Sequence, residues 1–215
     1  MTLVEQLRLA GWEQVFACAL GAYALGCFNT GYYLVRARTG RDIRALGSGA
    51  TGARNVGRIL GIAGFLETLA GDFFKGILAV WAARQFTGTE ALAPLAMLVC
   101  VAGHIWPAQL TFRGGKGVAT SLGALLIYDW RVALSYAMIF AVGFLFTRRT
   151  ILPGLFAYVA LPFMSHWLDR DAGRTVVIAL IAVLVCLAHR SNLAEEFLTL
   201  AARRNVTPHP EKTKL

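Results

Sequence analysis

Charge is scarce in this chain. Only 15% of its 215 residues are charged, against about 25% in a typical soluble domain. Acidic residues are the scarcer kind, with 12 Asp and Glu against 21 Lys and Arg, for a net charge of +9. Together with 57% hydrophobic residues and a mean hydropathy of +0.57, this excludes a soluble globular enzyme and a disordered chain. The basic pI does not indicate nucleic acid either, because the cations fall between apolar runs rather than in one patch. Cysteine is also sparse. Cys18, Cys27, Cys100 and Cys186 each lie in or beside an apolar stretch, without metal-like spacing, which leaves no disulfide framework and no zinc site. The carboxylates form no convincing ligand set, so neither a metal nor another cofactor is expected.

Long apolar runs are present instead. They cover approximately Gln14–Val35, Ile59–Ala83, Ala91–Leu110, Gly117–Tyr128, Val132–Thr147, Ile151–Leu168 and Thr175–Ala188. The first is long enough to cross a bilayer as a helix, and it lacks the basic leader of a signal peptide. Gly117–Tyr128 is short and reads as a re-entrant or half-span. The expected fold is all-α: a polytopic membrane protein of about seven transmembrane helices with short loops.

Loop charges give an independent check. Arg36, Arg38, Arg41, Arg44, Arg54 and Arg58 crowd the first loop, and Arg113 with Lys116, Arg148 with Arg149, and the tail from Arg203 mark three more basic segments. Near-neutral connections lie between them, around Arg84 and Glu90, Asp129 and Arg131, and Asp169 to Arg174. Seven crossings fit this alternation, with the N-terminus outside and the C-terminus in the cytoplasm. Residues 1–202 form one transmembrane domain in this reading, and 203–215 a short cytoplasmic tail.

Three polar clusters fall on the face assigned to the cytoplasm. In Gly47-Ser48-Gly49-Ala50-Thr51-Gly52-Ala53-Arg54-Asn55-Val56-Gly57-Arg58, the glycines can turn backbone N–H groups toward one anion. Arg54 and Arg58 add forks suited to phosphate, and the helix that follows favours a negative group at its start. The segment is no Walker A loop, since Gly-Lys-Ser/Thr does not follow. A basic loop held by anionic lipid headgroups explains the same residues. The second cluster is Gly103-His104-Ile105-Trp106-Pro107 followed by Phe112-Arg113-Gly114-Gly115-Lys116-Gly117. His104 reads as hydrogen-bonded to a neighbouring helix. Lys116 reads as functional, because a snorkelling lysine needs no glycines around it. In the third, His189 and Asn192 share a helical face, with Glu196 one turn beyond; taken alone, this cluster reads as a polar helix end with Arg190 as a positive-inside anchor. Asp72 and Lys75, three apart on an apolar helix, read as an ion pair that makes burial tolerable, and groups at such depth are often functional. Glu67 shows no obvious partner.

Taken together, these clusters resemble the glycerol-3-phosphate acyltransferases of the PlsY type, bacterial membrane enzymes with an acyl-phosphate donor. Gly-His-x-x-Pro followed by Gly114-Gly115-Lys116-Gly117-Val118-Ala119-Thr120 carries most of the likeness, with Gly47-Ser48-Gly49, Asn55, Arg58, Asp72, Lys75, His189-Arg190 and Asn192 in the family's order. The resemblance implies an active site at the cytoplasmic face of the bacterial inner membrane. There a fatty acyl group would pass from acyl-phosphate to glycerol 3-phosphate, amid membrane lipids and without an obligate protein partner. Ser48, Arg58, Lys116, His189 and Asn192 would form the polar pocket. Gly47, Ser48, Gly49, Gly52, Arg54, Asn55 and Arg58, with Gly114, Gly115, Lys116 and Gly117, would hold phosphate, and Asn55 would brace its loop. The chain departs from the family at Ala50, usually Asn, at Arg54, usually Thr, and after Asn192. These departures keep open a divergent paralogue with another acceptor. A small transporter and an anionic-lipid-binding scaffold are the remaining alternatives.

Overall fold

The computed structural model describes residue 5, residues 10–88 and 90–194, and residue 198. Glu195, Glu196 and the tail 203–215 lie outside them. The described residues form eight α-helices and no strand: α1 Trp12–Cys27, α2 Thr30–Thr39, α3 Ala53–Thr87, α4 Ala93–Ile105, α5 Val118–Tyr128, α6 Trp130–Thr147, α7 Ile151–Asp169 and α8 Ala172–Ala188. Short 3-10 turns at Ile43–Ala45 and Ala108–Leu110 lie in the two loops that later meet. Four segments are long and apolar enough to cross a membrane: Trp12–Thr39, Ala93–Leu110, Trp130–Thr147 and Ile151–Asp169. Val118–Tyr128 and Ala172–Ala188 are apolar but shorter; at 1.5 Å per residue α5 extends only about 16 Å.

Several boundaries differ from the sequence reading, each for a local reason. The first apolar run is not one helix. It breaks at Phe28 and Asn29, and Asn29 is fully buried with its Nδ2 donating to the Cys27 carbonyl at 3.1 Å. A break inside an apolar layer frees carbonyls that need donors. Gln109 Nε2 also donates to the Cys27 carbonyl at 2.6 Å, and Lys75 Nζ serves Gly26 at 3.1 Å and Phe28 at 2.7 Å. The third helix starts at Ala53, not near Ile59, and bends at Gly61, whose φ of 71° and ψ of −165° suit only glycine. Helices α6 and α8 begin at Trp130 and Ala172, ahead of Val132 and Thr175, because Asp129 and Asp171 cap them, accepting from the N–H groups of Arg131 and Arg174. Glu67 does have a partner: Arg38 Nη2 reaches it at 2.9 Å. A separation of 29 residues hid that pair from helical spacing.

Packing is close where glycines face backbone. A Cβ on Gly76 of α3 would collide with the Thr120 carbonyl of α5, and one on Gly123 with the Phe73 carbonyl. Gly26 and Gly103 similarly let α1 and α4 meet at backbone distance. Between helices in lipid, close van der Waals approach replaces the hydrophobic drive. The main core then forms around Met97, Leu125, Tyr158, Leu161, Ile178 and Ile181. At the end where α5 meets α6 and α7 meets α8, Arg131 bridges Asp129 and Asp169 at 2.7 and 2.6 Å, and Arg174 joins Asp169 at 3.2 Å.

Gly76→Val should therefore destabilise the folded protein by about 1–3 kcal/mol or more. Gly21→Ala, in open space on α1, should stay within about 1 kcal/mol of wild type. Thermal unfolding in detergent, read by helical circular dichroism, checks the contrast.

Candidate active site

Asn55 organises the glycine loop ahead of α3. Its Oδ1 accepts from the Ser48 N–H at 3.0 Å, while its Nδ2 donates to the Leu46 and Ala50 carbonyls, both at 2.9 Å. A Cβ on Gly47 would strike that same Oδ1, and Gly47 and Gly49 adopt φ of 54° and 71°. These glycines shape the turn. They are not an open nest: the Gly49 N–H is bonded to the Leu46 carbonyl at 3.0 Å and the Thr51 N–H to Gly114 at 3.4 Å. The expectation that backbone amides along Gly47–Gly52 converge on an anion is corrected for Ser48, Gly49 and Thr51, whose N–H groups already have acceptors.

The lysine loop follows the same logic. After Pro107 ends the helical path, the chain turns through Thr111 and Phe112, both at positive φ, and returns antiparallel to α4. Gly114 and Gly115 donate to the Ile105 and His104 carbonyls, each at 3.1 Å. Side chains at either glycine would collide with His104. Gly114 and Gly115 therefore seat the loop rather than contact an anion, a second correction to the proposed phosphate ligands. What they place is Lys116, followed by Gly117 at φ 84° as the start of α5. Arg44 ties the two loops together, pairing with Asp42 at 2.6 Å and donating to the Leu110 carbonyl at 2.7 Å.

Both loops and the end of α8 border one cavity of about 1120 Å³. Ser48, Arg54, Arg58, Lys116, His189 and Asn192 all line it, together with Gly52, Asn55 and Gly117. Gly47, Gly49, Gly114 and Gly115 do not. The first turns of α3 and α5 also lie on the wall, and the leading N–H groups of a helix have no carbonyl within it. Two helix N-termini and the cations of two separate segments, Arg54 and Arg58 on α3 and Lys116 before α5, thus favour negative charge in one place. Asn192 Oδ1 is buried without a partner among the described residues. Away from this polar end the wall is apolar, formed by Leu122, Leu126, Trp130, Ala137 and Phe140 among others. Leu126 and Trp130 are themselves exposed at the protein surface. Sequence reasoning did not place Asp72 and His104 on this wall, where both sit; only the crossing of α3 with α4 brings them there.

His189 has a defined proton arrangement. Its Nδ1 lies 2.8 Å from the Val185 carbonyl, which can only accept, so Nδ1 carries the hydrogen and Nε2 of the neutral ring carries the lone pair. Burial lowers its pKa below the ordinary imidazole value; the backbone bond opposes this, and the charges of Lys116 and Arg54 add to the lowering.

The chain matches the family described as glycerol-3-phosphate acyltransferase over residues 16–197. The chain belongs to this family. A relative from Desulfitobacterium hafniense, glycerol-3-phosphate acyltransferase 1, is 44% identical over 86% of this chain and 92% of its own length. Another from Gloeobacter violaceus is 36% identical over 85% and 91%. The fold is similar to the crystal structure of PlsY (YgiH), an integral membrane glycerol 3-phosphate acyltransferase, in its glycerol 3-phosphate form. That similarity has a TM-score of 0.78 at 28% identity and covers 86% of this chain and 92% of that one. The lysophosphatidic acid form gives 0.75 at 27% identity. Like these relatives, the chain is an integral membrane acyltransferase.

Because burial and two cations disfavour the imidazolium, the His189 titration midpoint should lie below 6.5. It should rise in Arg54→Gln, which removes one of the repelling charges. Ring-resonance NMR across pH in detergent micelles measures both.

Proposed function

We propose that the chain transfers a fatty acyl group from acyl-phosphate to glycerol 3-phosphate, giving 1-acylglycerol 3-phosphate and phosphate. One observation carries this reading: cations from two separate segments and two helix N-termini, with His189 and Asn192 from a third, share a cavity that continues into an apolar arm reaching the protein surface. Two phosphate-bearing substrates, one with a long apolar chain, require that combination. Seven crossings in a bacterial inner membrane, with the cavity mouth and the C-terminus on the cytoplasmic side, fit the loop charges.

In this mechanism the apolar arm takes the acyl chain. Lys116, Arg58 and Arg54 hold the phosphates of donor and acceptor. Ser48 and the amides at the start of α3 contact the donor phosphate, with Asn55 holding their loop in shape. The glycerol hydroxyl attacks the acyl carbonyl carbon directly. A new C–O bond forms, the bond from that carbon to the phosphate oxygen breaks, and phosphate leaves with the electron pair. The hydroxyl proton passes to Nε2 of His189 or to a substrate phosphate oxygen. Asn192, whose Oδ1 is otherwise unsatisfied, accepts from a hydroxyl of glycerol 3-phosphate. Acyl-phosphate is already activated, so no protein nucleophile is needed. Consistent with that, no imidazole hydrogen-bonds Ser48 Oγ among the described residues, as an activated serine would require.

Purified protein incubated with labelled glycerol 3-phosphate and acyl-phosphate, acyl-CoA or acyl-carrier protein should yield lysophosphatidate with acyl-phosphate alone. Product formed equally well from a thioester would replace the donor assignment. Lys116→Ala should leave the protein folded while lowering turnover by about 10²–10³-fold, through loss of a counter-charge to the reacting anions. Ser48→Ala should weaken use of the donor, and no acyl adduct on Ser48 should be trapped in wild type by mass spectrometry.

A further inference from the structure

Three ionisable side chains are buried together where α3 crosses α4: Asp72 is 2% exposed, Lys75 5% and His104 3%. Lys75 Nζ lies 3.0 Å from Asp72 Oδ1 and 2.7 Å from His104 Nδ1, besides its bonds to the Gly26 and Phe28 carbonyls. All four of its neighbours are acceptors, which is an environment for an ammonium ion. Lysine has donors only, so Nδ1 of His104 must present its lone pair to Lys75. The hydrogen of the neutral ring then sits on Nε2. That nitrogen lies against Gly115, next to Lys116, where a Cβ would collide with it. It has no hydrogen-bond partner among the described residues, and His104 lines the cavity. A buried imidazole is thus held with a spare N–H at the polar end of the active site.

We propose that His104 is a further catalytic residue of the acyl transfer, a neutral hydrogen-bond donor whose Nε2–H stabilises the acyl carbonyl oxygen as it gains charge. Attack by the glycerol hydroxyl moves the carbonyl π electrons onto that oxygen, and they return as the bond to the phosphate oxygen breaks. His104 keeps its proton throughout. It is distinct from His189, in which Nδ1 bears the hydrogen and Nε2 is free to accept one. The two histidines of the cavity are held as opposite tautomers, one by an ammonium donor and one by a carbonyl acceptor. A preformed donor in a site shielded from water needs no reorganisation as charge develops. This inference rests on the acyl-transfer reading, and its failure is separable from failure of that reading.

Two amide replacements divide the ring's roles. His104→Asn places an acceptor near the Nδ1 position, keeping the Lys75 bond, but has no donor at Nε2. His104→Gln places an amide donor near Nε2. Wild type and both variants would be purified as full chains in detergent, checked by thermal unfolding, and assayed for lysophosphatidate from acyl-phosphate. His104→Asn should unfold near the wild-type temperature while its kcat falls about 10²-fold, with the donor KM little changed. His104→Gln should recover about tenfold of that kcat. Nitrogen-15 NMR of the wild-type ring should show a protonated Nε2 and a bare Nδ1, a signature that a packing role alone does not predict. A folded His104→Asn with wild-type kcat, equal losses in both variants, or a protonated Nδ1 in wild type would each overturn the proposal. A wild-type protein without acyl transfer from any donor would instead remove the activity reading on which it rests.

Discussion

The ammonium group of Lys75 is the interaction on which the polar end of this protein depends. The chain breaks its first apolar run at Phe28 and Asn29, leaving carbonyls at a depth where water cannot supply hydrogens. Lys75 takes two of them, and Asp72 compensates the charge it brings inside. Removing one member of such a buried set leaves an uncompensated charge, a far larger cost than the pair contributes in net stability. The same lysine holds His104, and the His104 carbonyl and ring in turn seat the Gly114-Gly115 turn. A break near the N-terminus, a bend of backbone after α4 and the position of Lys116 are therefore one connected arrangement.

Glycine has two different uses here. On α1, α3, α4 and α5 it permits helices to cross at backbone distance, which fixes their relative heights and with them the alignment of the two loops. In those loops it permits positive φ or close approach to one side chain, Asn55 in the first and His104 in the second. Neither use resembles a phosphate-cradling nest. The anion-favouring character of the cavity comes instead from helix N-termini and from side-chain cations. Elsewhere arginines are neutralised, Arg38 by Glu67, Arg44 by Asp42, Arg131 and Arg174 by Asp169. Among the described residues no carboxylate pairs with Arg54 or Arg58, and both line the cavity.

The resemblance, rather than spacing or cost, singled out Ser48, Arg58, Lys116, His189 and Asn192 as one polar pocket, and the structure places all five on the wall of one cavity. The Asp72–Lys75 pair and a hydrogen bond between His104 and a neighbouring helix were readable from three-residue spacing and from position. Less legible were the partners that come from far along the chain. Glu67 meets Arg38, Gln109 meets Cys27, and Gly114 meets Thr51 only because helices cross. The glycine loop was misread as an open nest for the same reason, since nothing local shows that Asn55 and Gly114 already occupy its amides.

Composition and periodicity by themselves determined an all-helical membrane protein with cationic clusters between its apolar runs, since hydrocarbon tolerates little else. The residue order of the three clusters determined the family. Only the tertiary structure decided that these clusters face one cavity, which glycines are structural, where the apolar arm lies, and which nitrogen of each histidine carries hydrogen. A tautomer is set by whether the neighbour is a donor or an acceptor, and that neighbour is supplied by packing. For His104 it is Lys75 on another helix, and for His189 the carbonyl of Val185 one turn before it.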